Sequence, residues 1–524
     1  MGRIRPINLI WVAVVLGVFW AKGILALDAD FGWHLRAGNL FLSQGIPETD
    51  QFSYTMPSYP WVDHEWLTDA LAAGVYPRIG MIGLAGIYAG VVTAALWIAV
   101  RTGWGNGGNR GYRENKLELF RKGLFLLAAG SLVQFGGVRP QVVSWLMLAV
   151  LTRVIFDPEL WRKWRMWLPL FFAVWANLHG GFAMGLGLVG VVGTIRIIRG
   201  IREIGTIRVD WGDAGVLVLS AAATLVNPYG LGLWREVWSS TTDVNLRSTI
   251  VEWKPIYGTF NFPLLGFIGL TVSLVWNIRK ELGWEKIGLF MVFLVAGLTS
   301  MRNIPLYIVV ALPIAIETMG IFYQKIRRSK VALERFAKMT GWMVIFFVGM
   351  FLGWSAIILM ASWQGRETAY PRGAVDYLRD HKFSGQIFSI YDWGGYLDWK
   401  IPREKVFIDG RMPSWRWQAP GGESSSAFGE YTGILMGKID PAGVLAKYGV
   451  GTVLWREEAP LRSDFVRATS YAGQGGEILK RIVNFLNDPL GRRPKFSMIE
   501  WLEENGWKKM YGDGVAVVYR KQGF

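Results

Sequence analysis

The stretch DADFGWHLRAGNLFLSQGIPETDQFSYTMPSYPWVDHEWL, residues 28–67, decides how the rest of the chain is read. It follows an apolar run long enough to cross a bilayer and precedes another, so it is placed at a membrane face. It nevertheless carries Asp28, Asp30, Asp63 and Glu65, and two of the chain's four histidines, His34 and His64. Ionisable groups held at the edge of a bilayer are costly, so such a cluster points to function. A solvated acidic loop is the plainer alternative.

Composition agrees with a membrane setting. Of 524 residues, 52% are hydrophobic, and the mean hydropathy is +0.27. With apolar stretches recurring every few dozen residues, this is the profile of a polytopic α-helical membrane protein. The net charge of +16 does not call for nucleic acid, because Lys and Arg gather in cytoplasmic loops and fix orientation. Cysteine is absent, which removes disulfides, thiolate metal sites and a cysteine nucleophile. The first apolar segment is too long for a signal sequence and is read as a retained anchor.

About eleven apolar stretches suit a bilayer roughly 30 Å thick: 6–27, 80–100, 122–138, 141–156, 166–178, 180–198, 213–227, 259–278, 287–301, 305–323 and 340–362. The basic segments at Arg3 and Arg5, Arg110–Lys122, Arg153–Arg165, Arg196–Arg208, Arg279–Lys286 and Lys325–Lys338 all fall on one side under this count. The positive-inside rule makes that side cytoplasmic. The amino terminus is then inside, while Asp28–Ile79, Arg139, His179, Asn227–Gly258, Arg302 and everything after Ser362 lie outside. Glu65–Arg78 repeats apolar residues at helical spacing and reads as an interfacial helix.

The outer turns hold Arg139-Pro140-Gln141, Asn177-Leu178-His179 and Arg302-Asn303-Ile304-Pro305, with Glu252-Trp253 in the longer outer loop. Singly, each suits the end of a helix. Together they read as the wall of a polar cavity, where an arginine is the natural partner of a lipid phosphate. Beyond Ser362 the apolar runs stop, and residues 363–524 read as an extracytoplasmic α/β domain after a transmembrane domain of residues 1–362. Strands are expected at 386–390, 405–410, 451–455 and 515–520, and helices at 371–381, 441–448, 474–487 and 497–505. SIYDWGGYLDWK followed by VFIDGR reads as strand, aromatic turn, strand, bringing forward Asp392, Trp393, Tyr396, Asp409 and Arg411.

An acidic residue just outside the first span, on a loop leading to the second, resembles the GT-C glycosyltransferases, multi-spanning enzymes that use lipid-linked sugars. D-x-D-x-x-W-H-L-x-x-G (from Asp28), G-x-P-x-x-D-x-F-S-Y-T (from Gly45) and W-x-x-H-E-W-L (from Trp61) resemble a bacterial group of GT-C-like membrane proteins. The order Asp30, Arg36, glycine turn is similar to the first loop of oligosaccharyltransferase catalytic subunits, and YDWGG is similar to their WWDYG region. The resemblance implies a multi-pass protein of the bacterial cytoplasmic membrane. It would move a sugar, with inversion, from a polyprenyl-phosphate donor to an extracytoplasmic acceptor.

Such a transfer needs a carboxylate to activate the acceptor, positive charge for the departing phosphate, and a shaped site. Asp30 or Asp28 fits the first role, with Glu65 next; Arg139 and Arg302 fit the second. His34, Arg36, His64, His179, Asp392, Trp393, Tyr396 and Arg411 complete the substrate-binding candidates. Asp28, Asp30 and Glu65 also offer oxygens suited to Mg²⁺ or Mn²⁺, although no obligatory metal is expected. His64-Glu65 lacks the second histidine of H-E-x-x-H. Gly103–Gly108 formally matches G-x-G-x-x-G but has no preceding strand. Two other classes stay open: a transporter, which should show inverted repeats and broken helices, and an envelope-assembly scaffold.

Overall fold

A computed structural model describes residues 6–103, 115–204, 211–256, 260–381, 383–457 and 496–522. In chain order the helices begin with α1 (Pro6–Leu25), α2 (Phe31–Gln44), α3 (Trp66–Thr102), α4 (Asn115–Leu132), α5 (Gln141–Phe156), α6 (Pro158–Trp164) and α7 (Leu168–Leu178). There follow α8 (Phe182–Ile204), α9 (Trp211–Ala223), α10 (Leu231–Thr242), α11 (Val244–Thr249), α12 (Phe262–Ile278), α13 (Trp284–Thr299), α14 (Ile304–Ile326) and α15 (Lys330–Gly365). The C-terminal part adds α16 (Arg372–Asp380), β1 (Gln386–Ser389), α17 (Gly394–Lys400), α18 (Ala427–Leu435), α19 (Pro441–Lys447) and β2 (Val450–Arg456). It ends with α20 (Met498–Glu504), β3 (Trp507–Gly512) and β4 (Ala516–Lys521).

The chain divides into two compact units, each drawn from three stretches. The first is Met1–Leu25, Ile79–Val237 and Val251–Met360; the second is Ala26–Arg78, Trp238–Ile250 and Ala361–Phe524. The divide at Arg78/Ile79 falls beside Gly80, where α3 leaves helical geometry at φ 58°, a conformation only glycine adopts without strain.

Among the described residues, the regular structure of the first unit is all helical. Its centre is α14, buried on every side from Ile304 to Ile316 and packed by α4, α5, α12 and α13. A helix that is apolar all round belongs in such a position. All eleven expected apolar stretches fall on helices. Among the described residues, four helices, at Trp66–Thr102, Phe182–Arg202, Met301–Ile326 and Lys330–Gly365, are long and apolar enough to cross a membrane. A fifth arises if α5 with Pro158–Leu178 counts as one span bent by 110°. The bend has a local cause: Asp157 caps α6 by accepting from the amides of Glu159 and Leu160, and Pro158 cannot continue α5. Of the expected eleven spans, four or five meet the criteria of length and composition among the described residues. α5, α7, α9, α12 and α13 each have fewer than the roughly 20 residues that span 30 Å, and α4 carries Glu118, Arg121 and Lys122.

The second unit is built on a sheet of order β1-β2-β4-β3. β1 and β2 are parallel, whereas β4 runs antiparallel to both β2 and β3. Alternation sends Phe388, Val453, Val517 and Tyr519 to one core with Trp33, Ala37 and Phe41 of α2. Ile387, Leu454, Ala516 and Val518 go to the other, with residues of α16 and α17. Both faces are covered, which is why these strands read as nearly continuous apolar runs.

The expected strands at 386–390, 451–455 and 515–520 are present, and helices occur at 371–381, 441–448 and 497–505. The strand expected at 405–410 is not formed: Val406 makes only isolated bridges to Ser53 and Ile387. The strand–turn–strand reading of SIYDWGGYLDWK is also corrected. A 3₁₀ turn at Tyr391–Trp393 leads straight into α17. The helix expected at 474–487 and most of the Gly103–Gly108 loop lie outside the described residues.

Candidate functional site

In the second unit, the Asp28-Ala29-Asp30 segment forms a turn held by its own groups. The Asp28 carboxylate accepts from the Asp30 amide at 3.0 Å, and the Phe31 amide donates to the Asp28 carbonyl at 3.3 Å. Asp30 is the residue before α2, and its carbonyl accepts from the His34 amide at 3.2 Å. Asp28 thus shapes the turn that presents Asp30, an arrangement open to Asp because its side chain reaches its own backbone two residues on.

Glycines bring three motif stretches to this turn. A methyl group on Gly410 would lie 1.7 Å from Asp30 Oδ1, so the carboxylate rests directly on the Asp409-Gly410-Arg411 backbone. A Cβ on Gly395 would meet the Ala29 carbonyl at 2.3 Å, one on Gly32 the Gly395 carbonyl at 1.8 Å, and one on Gly394 the Ile408 carbonyl at 2.2 Å. The WGG of YDWGG is therefore a packing device that lets α17 lie against the start of α2. Tyr370 completes the setting. Its hydroxyl donates to the Leu27 carbonyl at 3.0 Å, and its ring stacks on Tyr396 at 4.9 Å between centroids. Burial, then the charges of Asp28, Asp392 and Asp30, push the Tyr370 hydroxyl well above the ordinary tyrosine range. Sequence reasoning missed Tyr370; its place directly before Pro371, just past the last apolar helix, was the available signal.

The remaining candidates of this unit fall into two groups. Trp393 is fully buried and donates to the Ala369 carbonyl at 2.9 Å, a core role. Arg36 donates to Asp398 at 2.5 Å and to the Glu404 carbonyl at 3.2 Å, with Phe52 under its guanidinium. Arg411 is buried between Asp409 and Asp50, at 2.6 and 2.8 Å. Those carboxylates hold its positive charge against the cost of burial and raise its pKa above the usual arginine value. Both arginines are committed to internal ion pairs.

Around Glu65 stand both histidines. His34 Nδ1 is hydrogen-bonded to Asp69 at 2.9 Å, which turns Nε2 toward Glu65 Oε1 at 3.8 Å, and His64 Nε2 lies 3.7 Å from the same oxygen. The Asp63 carboxylate accepts from the Glu65 amide at 3.0 Å. Burial raises Asp63 above the usual carboxylate range, against the pull of His34 and that amide. Among the described residues, Asp28, Asp30 and Glu65 do not bring three ligand oxygens within 4.8 Å of one another. As a set they do not fit one divalent ion.

The first unit holds the other three candidates. Arg139 pairs with Glu252, and the Arg302 guanidinium lies 5.0 Å above the ring of Trp253. Segment 251–254 is fixed to the turn before α14 by the Met301 amide donating to the Lys254 carbonyl at 3.0 Å. Burial works to raise the Glu252 pKa, but Arg139 and Arg302 outweigh it and the carboxyl is held below its ordinary value. His179 Nδ1 lies 2.7 Å from the Ser144 hydroxyl and accepts from the Gly181 amide at 2.9 Å. Trp175 donates to that hydroxyl in turn, so the serine proton turns to Nδ1 and the ring proton sits on Nε2.

No protein family's sequence profile matches the chain, and no curated protein matches it by sequence. Solved structures do. The archaeal oligosaccharyltransferase AglB of Archaeoglobus fulgidus, in complex with an inhibitory peptide and a dolichol-phosphate, matches with a TM-score of 0.58 at 9% identity, over 98% of this chain and 75% of its own. ArnT of Cupriavidus metallidurans, bound to undecaprenyl phosphate, matches at 0.53 and 14% identity, over 98% and 97%. The apo oligosaccharyltransferase of A. fulgidus matches at 0.54 and 11%, over 86% and 69%. At these identities the likeness is one of fold, and it is the fold that the GT-C resemblance implied.

Proposed function

We propose that the chain is an inverting glycosyltransferase of GT-C type. On this reading it is a multi-pass protein of a bacterial cytoplasmic membrane that moves a sugar from polyprenyl phosphate to an extracytoplasmic acceptor. The observation that carries the reading is the seating of Asp30 on Gly410, oriented by Asp28 and bordered by Tyr370. Asp30 takes the acceptor proton as the acceptor atom bonds to the anomeric carbon. The bond from that carbon to the phosphate oxygen breaks, and polyprenyl phosphate leaves with the electron pair. Arg139 and Arg302 receive the phosphate charge, a role for which guanidinium is suited by its paired donors.

Replacement of Arg302 by Ala should weaken retention of polyprenyl phosphate by about tenfold to a hundredfold, the worth of a charged hydrogen bond. Arg302→Lys should restore only part of it. The amount of lipid copurifying with each form is the measurement, and equal amounts in all three would count against the assignment. Orientation has its own check. A reporter active only in the cytoplasm, fused after Phe524, should be silent, because the positive-inside reading of eleven spans expects the carboxyl terminus outside.

A further inference from the structure

At the turns before α5 and α14 of the first unit, we infer that the Glu252 carboxylate is a built-in competitor of the lipid phosphate. It exchanges with that phosphate on Arg139, and its return releases polyprenyl phosphate after transfer. The inference rests on the proposed function, in which Arg139 and Arg302 receive the departing phosphate.

Glu252 and Trp253 belong to one short 3₁₀ turn, Val251–Trp253. Arg139 donates from Nη2 to Glu252 Oε1, and the Arg302 guanidinium lies on the ring of Trp253. Both guanidinium groups act on the carboxylate and keep its pKa down against burial. An anion thus already sits where both arginines are felt, and it is the protein's own. The backbone of this turn is tied down independently of the side chain. Ser300 donates from Oγ to the Glu252 carbonyl at 3.4 Å, and the Met301 amide donates to the Lys254 carbonyl at 3.0 Å. Arg139 is held as well. With its oxygen turned to the guanidinium, the Gln141 amide accepts from Nε at 3.0 Å and from Nη1 at 3.2 Å. The Glu252 side chain is 38% exposed, that of Arg139 only 18%. The carboxylate is therefore the partner able to swing away, and the guanidinium stays to meet a phosphate.

Exchanging one anion for another keeps the Arg139 charge paired throughout, which avoids the cost of an uncompensated buried charge. The phosphate matches the guanidinium fork, so the carboxylate does not bar the donor. The two ends of the reaction differ in charge. The donor is a phosphodiester with a single negative charge, whereas the leaving polyprenyl phosphate is a monoester with roughly 1.5 to 2 at neutral pH. Two arginines alone would hold the product more tightly than the donor, and turnover would end in a trapped product. A carboxylate that competes for Nη2 favours its departure.

The test is titration of the full-length protein in detergent with undecaprenyl phosphate, read by native mass spectrometry. Glu252→Gln, similar in size and uncharged, should raise the affinity by about tenfold, the lower end of what a hydrogen bond between charged groups is worth. In an Arg139→Gln background the same change should shift it by less than about twofold, because the competition is for that guanidinium. Glu252→Cys supplies a control in a chain without other cysteine. Capped with a neutral methylthio group it should bind like Glu252→Gln, and capped with an anionic sulfonatoethyl group it should bind less tightly again. Weaker or unchanged binding in Glu252→Gln would make Glu252 an orienting partner of Arg139 and overturn the inference. A gain that survives Arg139→Gln would overturn it too, as would loss of folded protein in both Glu252 variants, which would make the ion pair structural. If Arg139→Gln and Arg302→Ala both bind undecaprenyl phosphate like the wild type, the failure lies in the phosphate site of the proposed function itself.

Discussion

Asp30→Asn should lower sugar transfer by about two to four orders of magnitude, the usual worth of general-base catalysis, while the lipid-linked donor stays bound. The substitution keeps the size of the side chain and its hydrogen bonding, and removes its basicity. Because Asp30 Oδ1 rests on Gly410, where even a methyl group would come within 1.7 Å, an isosteric amide disturbs the packing least. The loss should fall on kcat and kcat/KM together, the signature of an interaction made in the transition state. Asp28→Asn should be milder, since its amide oxygen can still accept from the Asp30 backbone N–H. Sugar transfer measured in both variants decides between the two carboxylates. A dead Asp28→Asn beside an active Asp30→Asn would exchange their roles, and full activity in both would remove the proposed chemistry.

What could be read from the sequence follows from which forces leave periodic marks. Long apolar runs mark the helices of the first unit, and short apolar runs mark β1, β2 and β4, because burial there depends on residue type alone. Helix α2 was hidden for a physical reason. Its sequence, FGWHLRAGNLFLSQ, contains two glycines that read as loop signals. Both are there for close approach: a Cβ on Gly32 would strike the Gly395 carbonyl, and one on Gly38 the Asp69 carbonyl at 2.1 Å. The same cause disguised YDWGG as a turn between strands. The Asp28–Asp30 turn was legible, since an apolar run ending in Asp-x-Asp is a local signal. Partners distant in the chain were not. Nothing near Arg36 announces Asp398, and nothing near Arg411 announces Asp50, 361 positions away.

That last pair sets the second large effect. Arg411→Ala should destabilise the second unit by about 3–5 kcal/mol, the cost of leaving buried carboxylates without their cation. Asp409 and Asp50 are each almost wholly buried, and the guanidinium spans them at 2.6 and 2.8 Å while lying against the rings of Phe52, Trp61 and Trp415. Lysine should not rescue it, because one ammonium cannot replace the fork of donors or the flat contact with three rings. Asp50→Asn with Asp409→Asn and Arg411→Met removes the charges together and should cost much less than Arg411→Ala alone, since the larger penalty comes from the unpaired charge. Thermal unfolding in detergent, followed by tryptophan fluorescence, is the measurement; the single variant should lose roughly 6–20 °C for a unit of this size. Had Arg411 served the substrate instead, the single variant would unfold like the wild type and lose only activity. An unchanged unfolding temperature would therefore return this residue to the binding site and leave the Asp409-Gly410-Arg411 turn held by the glycine contacts alone.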